Sequence, residues 1–473
     1  MLIGRTEEIR LLKEAYKSRE SEFVAVYGRR RVGKTFLVRE VFDYSFTFQH
    51  SGIANESMRV QLEAFKRSLI SSGDKCCPDI KSWMDAFERL KELIRASKQK
   101  KKIVFIDEAA WIDTPKSGFV SALENFWNGW ATARKDILLV ICASATSWII
   151  KKVFRNRGGL HNRVTYKIPL APFTLKECEL YAKMQGLRLN RYQLLNLYLA
   201  MGGVALYWKM LDKRFSAAQN IDLLFFGPKA KLRGEFNELY DSLYKNPEPY
   251  KAIINMLGRT SGGLSRQELI SKLGVNDNGA FSEKLEELEE CGFIICSKDY
   301  PKNKRDSIYK LFDNYTIFYF KYIKENENID GFWTSAANSQ GVKAWSGLAF
   351  ERVCLQHVPQ IKKALGIAAV ASRQHGWHSD SSRLEKGEHG VQIDLIIDRA
   401  DNIVNLCEMK WASDEYVIDK KYDEELRHKS DVFCRQTKIK KAVHLTMITT
   451  FGVKHNIYFD SIQSQVVLDQ LFE

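Results

Sequence analysis

The stretch Glu22-Phe23-Val24-Ala25-Val26-Tyr27-Gly28-Arg29-Arg30-Arg31-Val32-Gly33-Lys34-Thr35 contains a short apolar run, a loop bracketed by two glycines and the start of a helix. Residues 22–27 have the length and apolar character of a buried strand. Residues 35–43 place apolar side chains at helical spacing. The sequence therefore predicts a strand-loop-helix unit of an α/β domain.

The two glycines of this loop stand where a bound phosphate needs a bare backbone. Successive backbone N–H groups must point inward at the phosphate oxygens, and a Cβ at Gly28 or Gly33 would obstruct the turn. Lys34 would reach the β- and γ-phosphates, and Thr35 would offer its hydroxyl to Mg²⁺. A chance match is the alternative, but the strand before the loop and the helix after it favour binding. We predict that ATP and Mg²⁺ bind the loop formed by Gly28, Arg29, Arg30, Arg31, Val32, Gly33, Lys34 and Thr35.

A second apolar run, residues 103–106, ends in two acids, Asp107 and Glu108. Asp107 is placed to hold the magnesium shell, and Glu108 to orient or deprotonate the attacking water. Solvated acids at a strand end are the alternative, but the preceding phosphate loop strengthens the metal interpretation. The double acid favours hydrolysis of ATP over binding alone.

Apolar runs alternate with helical patterns over the first third of the chain. Strands that alternate with helices argue for a parallel sheet covered on both faces. We assign residues 1–173 to this α/β core. Besides residues 22–27, its strand-like runs are residues 46–49, 103–106, 137–142 and 164–168.

Further short motifs surround the phosphate loop and the double acid: Gly4-Arg5 with Glu8, Asp107-Glu108-Ala109-Ala110-Trp111, Phe126-Trp127, Gly159-Leu160-His161-Asn162-Arg163 and Leu170-Ala171-Pro172-Phe173. With them, a little over the first third of the chain resembles the AAA+ and STAND-related P-loop ATPases, particularly the archaeal-type ATPases also found in bacteria. The resemblance implies a polar sensor of the γ-phosphate at the tip of the next strand. Ser144 or Thr146 occupies that place, where many AAA+ proteins have asparagine.

Arg163 stands where the resemblance implies an arginine finger, a cation that stabilises charge on the transferring phosphoryl group. A surface arginine before a strand is the alternative, and Arg157 is the second candidate for the finger. A finger that acts in trans would require a homo-oligomer. No clear second sensor arginine stands near Gly202-Gly203.

The middle of the chain divides into two predicted domains. Residues 174–245 have helical spacing and predict a helical lid subdomain. Residues 246–325 contain three short helical patterns and two strand-like pieces, and this order predicts a winged helix. The candidate recognition helix, residues 279–291, has five glutamates and one lysine, which suits a polyanion poorly. A structural or protein-contacting role is therefore favoured, and the turn with Lys302, Lys304 and Arg305 is the better DNA contact.

After a polar linker, residues 326–341, the order of elements is α-β-β-β-α-β over residues 342–473, with the first strand at residues 367–372. Asp394 lies on the second strand, and Glu408 and Lys410 share one face of the third because they are two residues apart. Asp394 and Glu408 can hold Mg²⁺ against a scissile phosphate, while Lys410 can orient the attacking water or balance charge. An exposed ion pair is the alternative interpretation of Glu408 and Lys410.

This ordered set resembles the PD-(D/E)XK nuclease superfamily. The resemblance implies that Glu351 is the acid of the first helix, that Asp394 and Glu408 bind the metal, and that Lys410 is the catalytic lysine. Ile393 stands where the proline of the motif is expected. Gln436 is a further candidate in the following helix. His375, His378 and His389 match no metal-binding spacing and are interpreted as loop residues.

Composition restricts the class of protein further. The chain of 473 residues has a net charge of +14, which favours a polyanionic partner such as DNA. Its nine cysteines are scattered without a Cys-x-x-Cys pair, so we expect a reducing cytoplasm and neither a disulfide framework nor a zinc site. The longest apolar run, residues 137–143, is too short to cross a membrane.

Two functional hypotheses follow. The first is an ATP-hydrolysing AAA+-like protein that acts on DNA and has a metal-dependent, phosphodiester-cleaving carboxyl-terminal domain. The second is a regulatory ATPase switch that binds protein or DNA through an inactive nuclease-like domain. They differ in whether Asp394, Glu408 and Lys410 act as catalysts.

Overall fold

The computed structural model describes residues 2–144, 146–155, 158–244, 246–260, 262–297, 300 and 307–473. These residues form two compact units. Unit 1 comprises Met1–Pro172, Glu235–Tyr250 and Gly279–Gly292, and unit 2 comprises Phe173–Gly234, Lys251–Asn278 and Phe293–Glu473. Two segments of the predicted lid and winged helix therefore group with the α/β core.

The core of unit 1 is a five-stranded sheet whose strands are parallel, as the alternation of strands and helices predicts. The structure adds the strand order, which is β2-β3-β4-β1-β5. Its strands are β1 (Glu22–Tyr27), β2 (Phe48–Ser51), β3 (Lys102–Asp107), β4 (Ile137–Ala143) and β5 (Tyr166–Pro169). Its helices are α1 (Thr6–Lys17), α2 (Lys34–Val41), α3 (Met58–Ser71), α4 (Trp83–Ala96), α5 (Ala109–Ile112), α6 (Phe119–Gly129) and α7 (Thr146–Ile149).

Helices cover both faces of this sheet. Apolar side chains of α1 and α2 pack on one face together with Val24 and Val140. Side chains of α3, α4 and α6 pack on the other face together with Phe23 and Leu139. All seven residues of β4 are buried, which explains why its sequence is continuously apolar rather than alternating.

Short helices and a small sheet follow the core. The helices are α8 (Leu175–Met184), α9 (Arg191–Met201), α10 (Ala205–Lys209), α11 (Ala217–Phe225), α12 (Glu235–Asp241), α13 (Glu248–Gly258), α14 (Arg266–Leu273), α15 (Gly279–Glu290), α16 (Asn314–Phe318), α17 (Lys324–Asn326) and α18 (Phe332–Ala336). The antiparallel sheet β6-β8-β7 consists of β6 (Leu264–Ser265), β7 (Ile294–Ser297) and β8 (Ile308–Leu311). The winged helix stays a prediction, and the basic turn with Lys302, Lys304 and Arg305 lies outside the described residues.

The end of the chain forms a mixed five-stranded sheet in unit 2, with the order β13-β12-β11-β10-β9. The strands β9, β10 and β11 are antiparallel, whereas β11, β12 and β13 are parallel. The strands are β9 (Ser372–His378), β10 (Gln392–Arg399), β11 (Ile403–Lys410), β12 (Ala442–Thr449) and β13 (Ser464–Val467), and the helices are α19 (Gln340–Gln356), α20 (Val358–Ala364), α21 (Lys420–Thr437) and α22 (Leu468–Leu471).

One prediction about this region is corrected, and the predicted linker contains a helix. The sequence predicts a strand at residues 367–372, but β9 begins only at Ser372. β9 is a polar strand at the edge of the sheet with one buried side chain, that of Trp377, so an apolar run does not mark its position. Residues 326–341, which the sequence predicts to be a linker, include α18, and Trp333 of this helix is buried against Phe318 and Trp345. The segment as a whole is rich in polar residues, which is why its sequence is interpreted as a linker. No helix in the described parts of the chain has the length and apolar character that a membrane span requires.

Candidate nucleotide and metal sites

The two glycines of the phosphate loop are required for different reasons. Gly28 has a φ of 144°, and a Cβ there would lie 2.3 Å from the carbonyl oxygen of Leu170. Gly33 has open space around it, but its φ of 95° lies in the region that favours glycine. The close approach of Leu170, the residue after β5, therefore explains Gly28, and backbone conformation explains Gly33.

Lys34 and Thr35 begin α2 at the mouth of this loop. The Lys34 ammonium is buried and donates to the carbonyl oxygens of Gly28 and Arg29, both at 2.9 Å. Burial lowers the pKa of Lys34. The Thr35 hydroxyl donates to Asp107 Oδ2 at 2.6 Å, so the two predicted magnesium ligands are adjacent. Burial is also the main cause that raises the pKa of Asp107.

Glu108 follows β3 with a φ of 48°, an uncommon conformation for a residue other than glycine. Its Oε1 accepts a hydrogen bond of 2.8 Å from the Ser144 hydroxyl at the end of β4. Its Oε2 is buried and has no hydrogen-bond partner within the described part of the chain. An unpaired buried carboxylate oxygen is costly, and a water molecule would satisfy it.

The structure thus places Lys34, Thr35, Asp107, Glu108 and Ser144 at one edge of the sheet. Parallel strands end at the same edge, and these residues follow β1, β3 and β4. The hydroxyl and carboxylate oxygens of Thr35 and Asp107 are the ligands that Mg²⁺ prefers. This donor set fits the predicted ion.

The remaining residues of the loop are buried in the protein or contact residues in and near α12. Arg29 and Val32 are buried. Arg30 donates to the carbonyl oxygen of Ser242 at 3.2 Å. Arg31 forms an ion pair with the buried Glu235 of α12, and its Nη2 lies 3.3 Å from Glu238 Oε2. The contacts of Arg30 and Arg31 therefore fix the segment around α12 to the phosphate loop.

Arg163 is exposed and lies just before β5, at the edge of the sheet opposite to the phosphate loop. Tyr166 pairs with Val24, and the backbone from Val24 to Gly28 spans about 13 Å at about 3.3 Å per residue. This separation does not favour a contact between Arg163 and a nucleotide in the same chain. The second candidate, Arg157, lies outside the described residues.

The acidic face of α15 contacts the core of unit 1. The Lys151 ammonium lies 3.2 Å from Glu283 Oε2 and 3.0 Å from Glu287 Oε1. The Tyr250 hydroxyl donates to the other oxygen of Glu287. Two of the glutamates of the candidate recognition helix are therefore already paired within unit 1.

A second candidate site lies in unit 2, on the sheet of β9 to β13. Leu395 pairs with Cys407, so Asp394 and Glu408 stand one residue beyond this pair on neighbouring strands. The pairing of β9 with β10 shifts between Ile393 and Ile396, next to Asp394, and such irregularities re-aim side chains beside functional sites. The nearby helix α19 carries Glu351, whose pKa is raised to about 7 by burial and by the Asp394 and Glu408 carboxylates.

Glu408 is the most heavily bonded of these acids. Its Oε1 accepts from Lys410 at 2.9 Å and from the Tyr422 hydroxyl at 2.8 Å. The Lys429 ammonium lies 3.1 Å from Oε1 and 3.0 Å from Oε2. The two lysines lower the pKa of Glu408 against the opposing effect of burial.

Tyr422 and Lys429 were not predicted from the sequence. Both lie on α21, seven residues apart, on the helical face that also carries the buried Leu426 and Phe433. This spacing was the available signal, since a tyrosine and a lysine on an apolar face need polar partners.

Other candidate ligands of unit 2 have structural contacts. Gln436 accepts from the backbone N–H of Asp380 at 2.8 Å and donates to its carbonyl oxygen at 3.2 Å. His389 packs on His428, with ring centroids 4.6 Å apart. Among the residues that the structure describes, no group of three His, Cys, Asp or Glu side chains has the geometry to hold a metal. A metal at Asp394 and Glu408 would therefore use two carboxylates together with water or substrate, which suits Mg²⁺.

Residues 2–186 match the family model of an ATPase domain found predominantly in Archaea. An uncharacterized protein of Methanocaldococcus jannaschii is 23% identical over 430 residues, which are 87% of this chain and 88% of that protein. An uncharacterized ATP-binding protein of the same organism is 35% identical over 43 residues, 9% of this chain and 73% of that protein. The Walker-type ATPase of Pyrococcus abyssi superposes with a TM-score of 0.48 and 16% identity, over 67% of this chain and 96% of that one. Residues 2–186 of this chain are therefore similar to archaeal-type ATPase domains.

Proposed function

We propose that this protein hydrolyses ATP in unit 1 and cuts the phosphodiester backbone of DNA at a metal-dependent site in unit 2. The observation that carries the proposal for unit 2 is that Asp394 and Glu408 each stand one residue beyond the paired Leu395 and Cys407 on neighbouring strands, with Lys410 bonded to Glu408 at 2.9 Å. Two carboxylates and a lysine at one place are the side chains that phosphodiester hydrolysis requires.

In unit 1, each residue has a distinct role in ATP hydrolysis. Lys34 would exchange its two carbonyl partners for the β- and γ-phosphates of ATP. Thr35 and Asp107 would hold Mg²⁺, which supplies positive charge to the phosphates when bound. Glu108 would accept a proton from the attacking water through its unpaired Oε2. Ser144 holds the other oxygen of Glu108 and so orients this base.

In unit 2, the acids would hold the metal and the lysine would act on the substrate. Asp394 and Glu408 would bind a divalent cation, which polarises the phosphodiester and makes a bound water more acidic. Lys410 would balance the charge that develops on the phosphate. Glu351, with its raised pKa, would hold a proton near neutral pH and could return it to the leaving group.

Charge supports DNA as the substrate. The chain carries 72 lysine and arginine residues against 58 acids, and an excess of cations favours binding to a polyanion. The predicted wing residues Lys302, Lys304 and Arg305 would add contacts to the phosphate backbone.

One observation favours the alternative of a regulatory ATPase with an inactive nuclease-like domain. Glu408 is saturated by Lys410, Lys429 and Tyr422, and an ion-pair network of this kind also occurs in domains without catalytic function. The two functions differ in the effect of removing Asp394, Glu408 or Lys410.

The test is cleavage of linear, branched and single-stranded DNA with Mg²⁺ or Mn²⁺, with and without ATP. We expect Asp394→Ala, Glu408→Ala and Lys410→Ala to lower the cleavage rate by about 10² to 10³ while DNA binding survives. The matched control is Asp401→Ala, which removes an exposed acid from the turn between β10 and β11 and should cut normally. The cleavage proposal would be rejected if wild-type protein binds DNA but cuts none of these forms, or if the variants cut as fast as wild type. Either result would support the alternative of a regulatory ATPase.

A further inference from the structure

Lys429 occupies a position on Glu408 that neither the motif nor the proposed cleavage chemistry explains. Its ammonium bridges both oxygens of the carboxylate, at 3.1 Å and 3.0 Å. Lys410 and Tyr422 contact Oε1 only. Lys429 is therefore the cation that engages the carboxylate on both sides, as a bound metal ion would.

A divalent cation at Glu408 would compete with Lys429 for the same oxygens. Oε1 of Glu408 accepts from Lys410, Tyr422 and Lys429, and a carboxylate oxygen offers about two lone pairs. A metal ion next to Glu408 would also repel an ammonium about 3 Å from the same oxygens. A metal ion that binds Glu408 and Asp394 together would therefore take the place of Lys429.

The displaced ammonium then needs another anion. The Lys429 side chain is 18% exposed, so its charge is largely removed from water. A charge left unpaired in such a place is costly. Glu425 lies 3.8 Å from Lys429 on the same helix, but it is a longer and more exposed contact than Glu408. A phosphate of bound DNA is an anion that would arrive together with the substrate.

Charge balance agrees with this order of events. Asp394 and Glu408 carry two negative charges when ionised, and Lys410 and Lys429 carry two positive charges, so these four groups together are neutral. A divalent cation would add two positive charges, which phosphodiester groups of the bound DNA would neutralise.

We propose that Lys429 is a counter-cation that a divalent metal displaces from Glu408, and that the released ammonium binds a phosphate of the DNA, so that metal and DNA bind cooperatively. This inference rests on the proposed cleavage site. Lys429 is a positioning residue, because it controls the carboxylate that holds the metal. Binding that is coupled in this way is reciprocal: DNA tightens metal binding, and metal tightens DNA binding.

The experiment measures Mn²⁺ binding to the full chain without nucleotide, from the electron paramagnetic resonance signal of free Mn²⁺. Titrations are run with and without a DNA hairpin whose stem and overhang carry phosphorothioate linkages. The double variant Asp394→Ala, Glu408→Ala gives the background. Lys429→Gln and Lys429→Met remove the charge in two ways, so that a folding defect of one variant leaves the other informative, and Lys429→Arg keeps it. Lys441→Gln is the matched control, because Lys441 pairs with Asp398 on the same sheet.

For wild type, we expect the hairpin to lower the half-saturating Mn²⁺ concentration by about tenfold, the effect of one charged hydrogen-bonded contact. Lys429→Gln and Lys429→Met should bind Mn²⁺ about tenfold tighter without DNA and gain little from the hairpin. Lys429→Arg and Lys441→Gln should behave as wild type.

Two results separate failure of this inference from failure of the proposed function. If wild type cuts DNA but Lys429→Gln and Lys429→Met bind Mn²⁺ no tighter than wild type, or keep the full gain from the hairpin, Lys429 is not a displaced counter-cation and the cleavage site stands. If wild type binds no more Mn²⁺ than the double variant does, the proposed metal site is rejected, and this inference is rejected with it.

Discussion

Lys34 and Glu108 differ in what a substitution removes from the nucleotide site. Lys34→Ala removes the buried ammonium that would meet the phosphates, so we expect ATP binding to be lost. Glu108→Gln keeps the shape and the contact with Ser144 but removes the base, so binding should persist while hydrolysis falls by about 10² or more. Calorimetric titration and phosphate release measure the two effects. Glu63→Gln, an exposed acid of α3, is the control, and normal hydrolysis by Glu108→Gln would reject its assigned role.

His357 in unit 2 makes stability depend on pH. Its Nδ1 donates to the Val353 carbonyl oxygen at 2.8 Å, and its Nε2 accepts the backbone N–H of Leu175 at 3.0 Å, which only the neutral ring can do. Burial lowers the pKa of His357 from 6.5 to about 4. A lowered pKa means that the unfolded chain binds more protons, so this contribution is present above pH 6.5 and is lost as the pH falls towards 4.

We expect this histidine to lower the free energy of unfolding by about 2 kcal/mol between pH 6.5 and pH 5. The measurement is the midpoint of thermal unfolding as a function of pH for wild type and His357→Gln. The variant should be less stable at neutral pH and should lose less on acidification, because it has no ring to protonate. Exposed His161 provides the control, and equal pH slopes for wild type and His357→Gln would contradict the assignment.

At the scale of the element, α12 is held to the phosphate loop by two glutamates that contact one arginine. The Glu235 side chain is 1% exposed, whereas that of Glu238 is 66% exposed. Loss of one partner from a buried pair leaves an uncompensated charge, whereas an exposed pair is screened by water.

Glu235→Gln should therefore lower the free energy of unfolding of nucleotide-free protein by about 3 kcal/mol, and Glu238→Gln by at most about 1 kcal/mol. The two variants are matched, since each removes one carboxylate charge that contacts Arg31. Differential scanning calorimetry with and without ATP measures the loss and shows whether nucleotide restores it. Equal losses for the two variants would show that Arg31 does not depend on its buried partner.

At the scale of the whole molecule, the position of Arg163 decides whether hydrolysis requires a second copy of the chain. Arg163 lies at the edge of the sheet away from its own phosphate loop, so a role as arginine finger would have to be exerted in trans. We expect the hydrolysis rate per chain to rise with protein concentration. Mixing inactive Lys34→Ala with inactive Arg163→Ala should restore part of the activity, because a mixed interface joins an intact loop to an intact finger. Arg59→Ala, at an exposed position of α3, is the control, and a rate independent of concentration would favour a monomeric switch.

Local patterns in the sequence predict the elements that carry both sites. The strand-loop-helix of residues 22–35 and the acids at the end of β3 follow from periodicity and spacing, as do Asp394, Glu408 and Lys410 on neighbouring strands. The ATPase domain and the parallel sheet are confirmed. The nuclease-like site stays a prediction.

Only the tertiary structure decides which charged groups meet. The contacts of Lys429 and Tyr422 with Glu408, of Glu235 with Arg31, and of Lys151 with α15 join residues 14 to 204 positions apart. The carbonyl oxygen of Leu170 that requires Gly28 is likewise distant in the chain. Periodicity reports which face of an element is buried, but it carries no information about the partner on the other side. That partner is determined by strand order, register and helix packing, which minimise the exposure of the whole apolar surface at once.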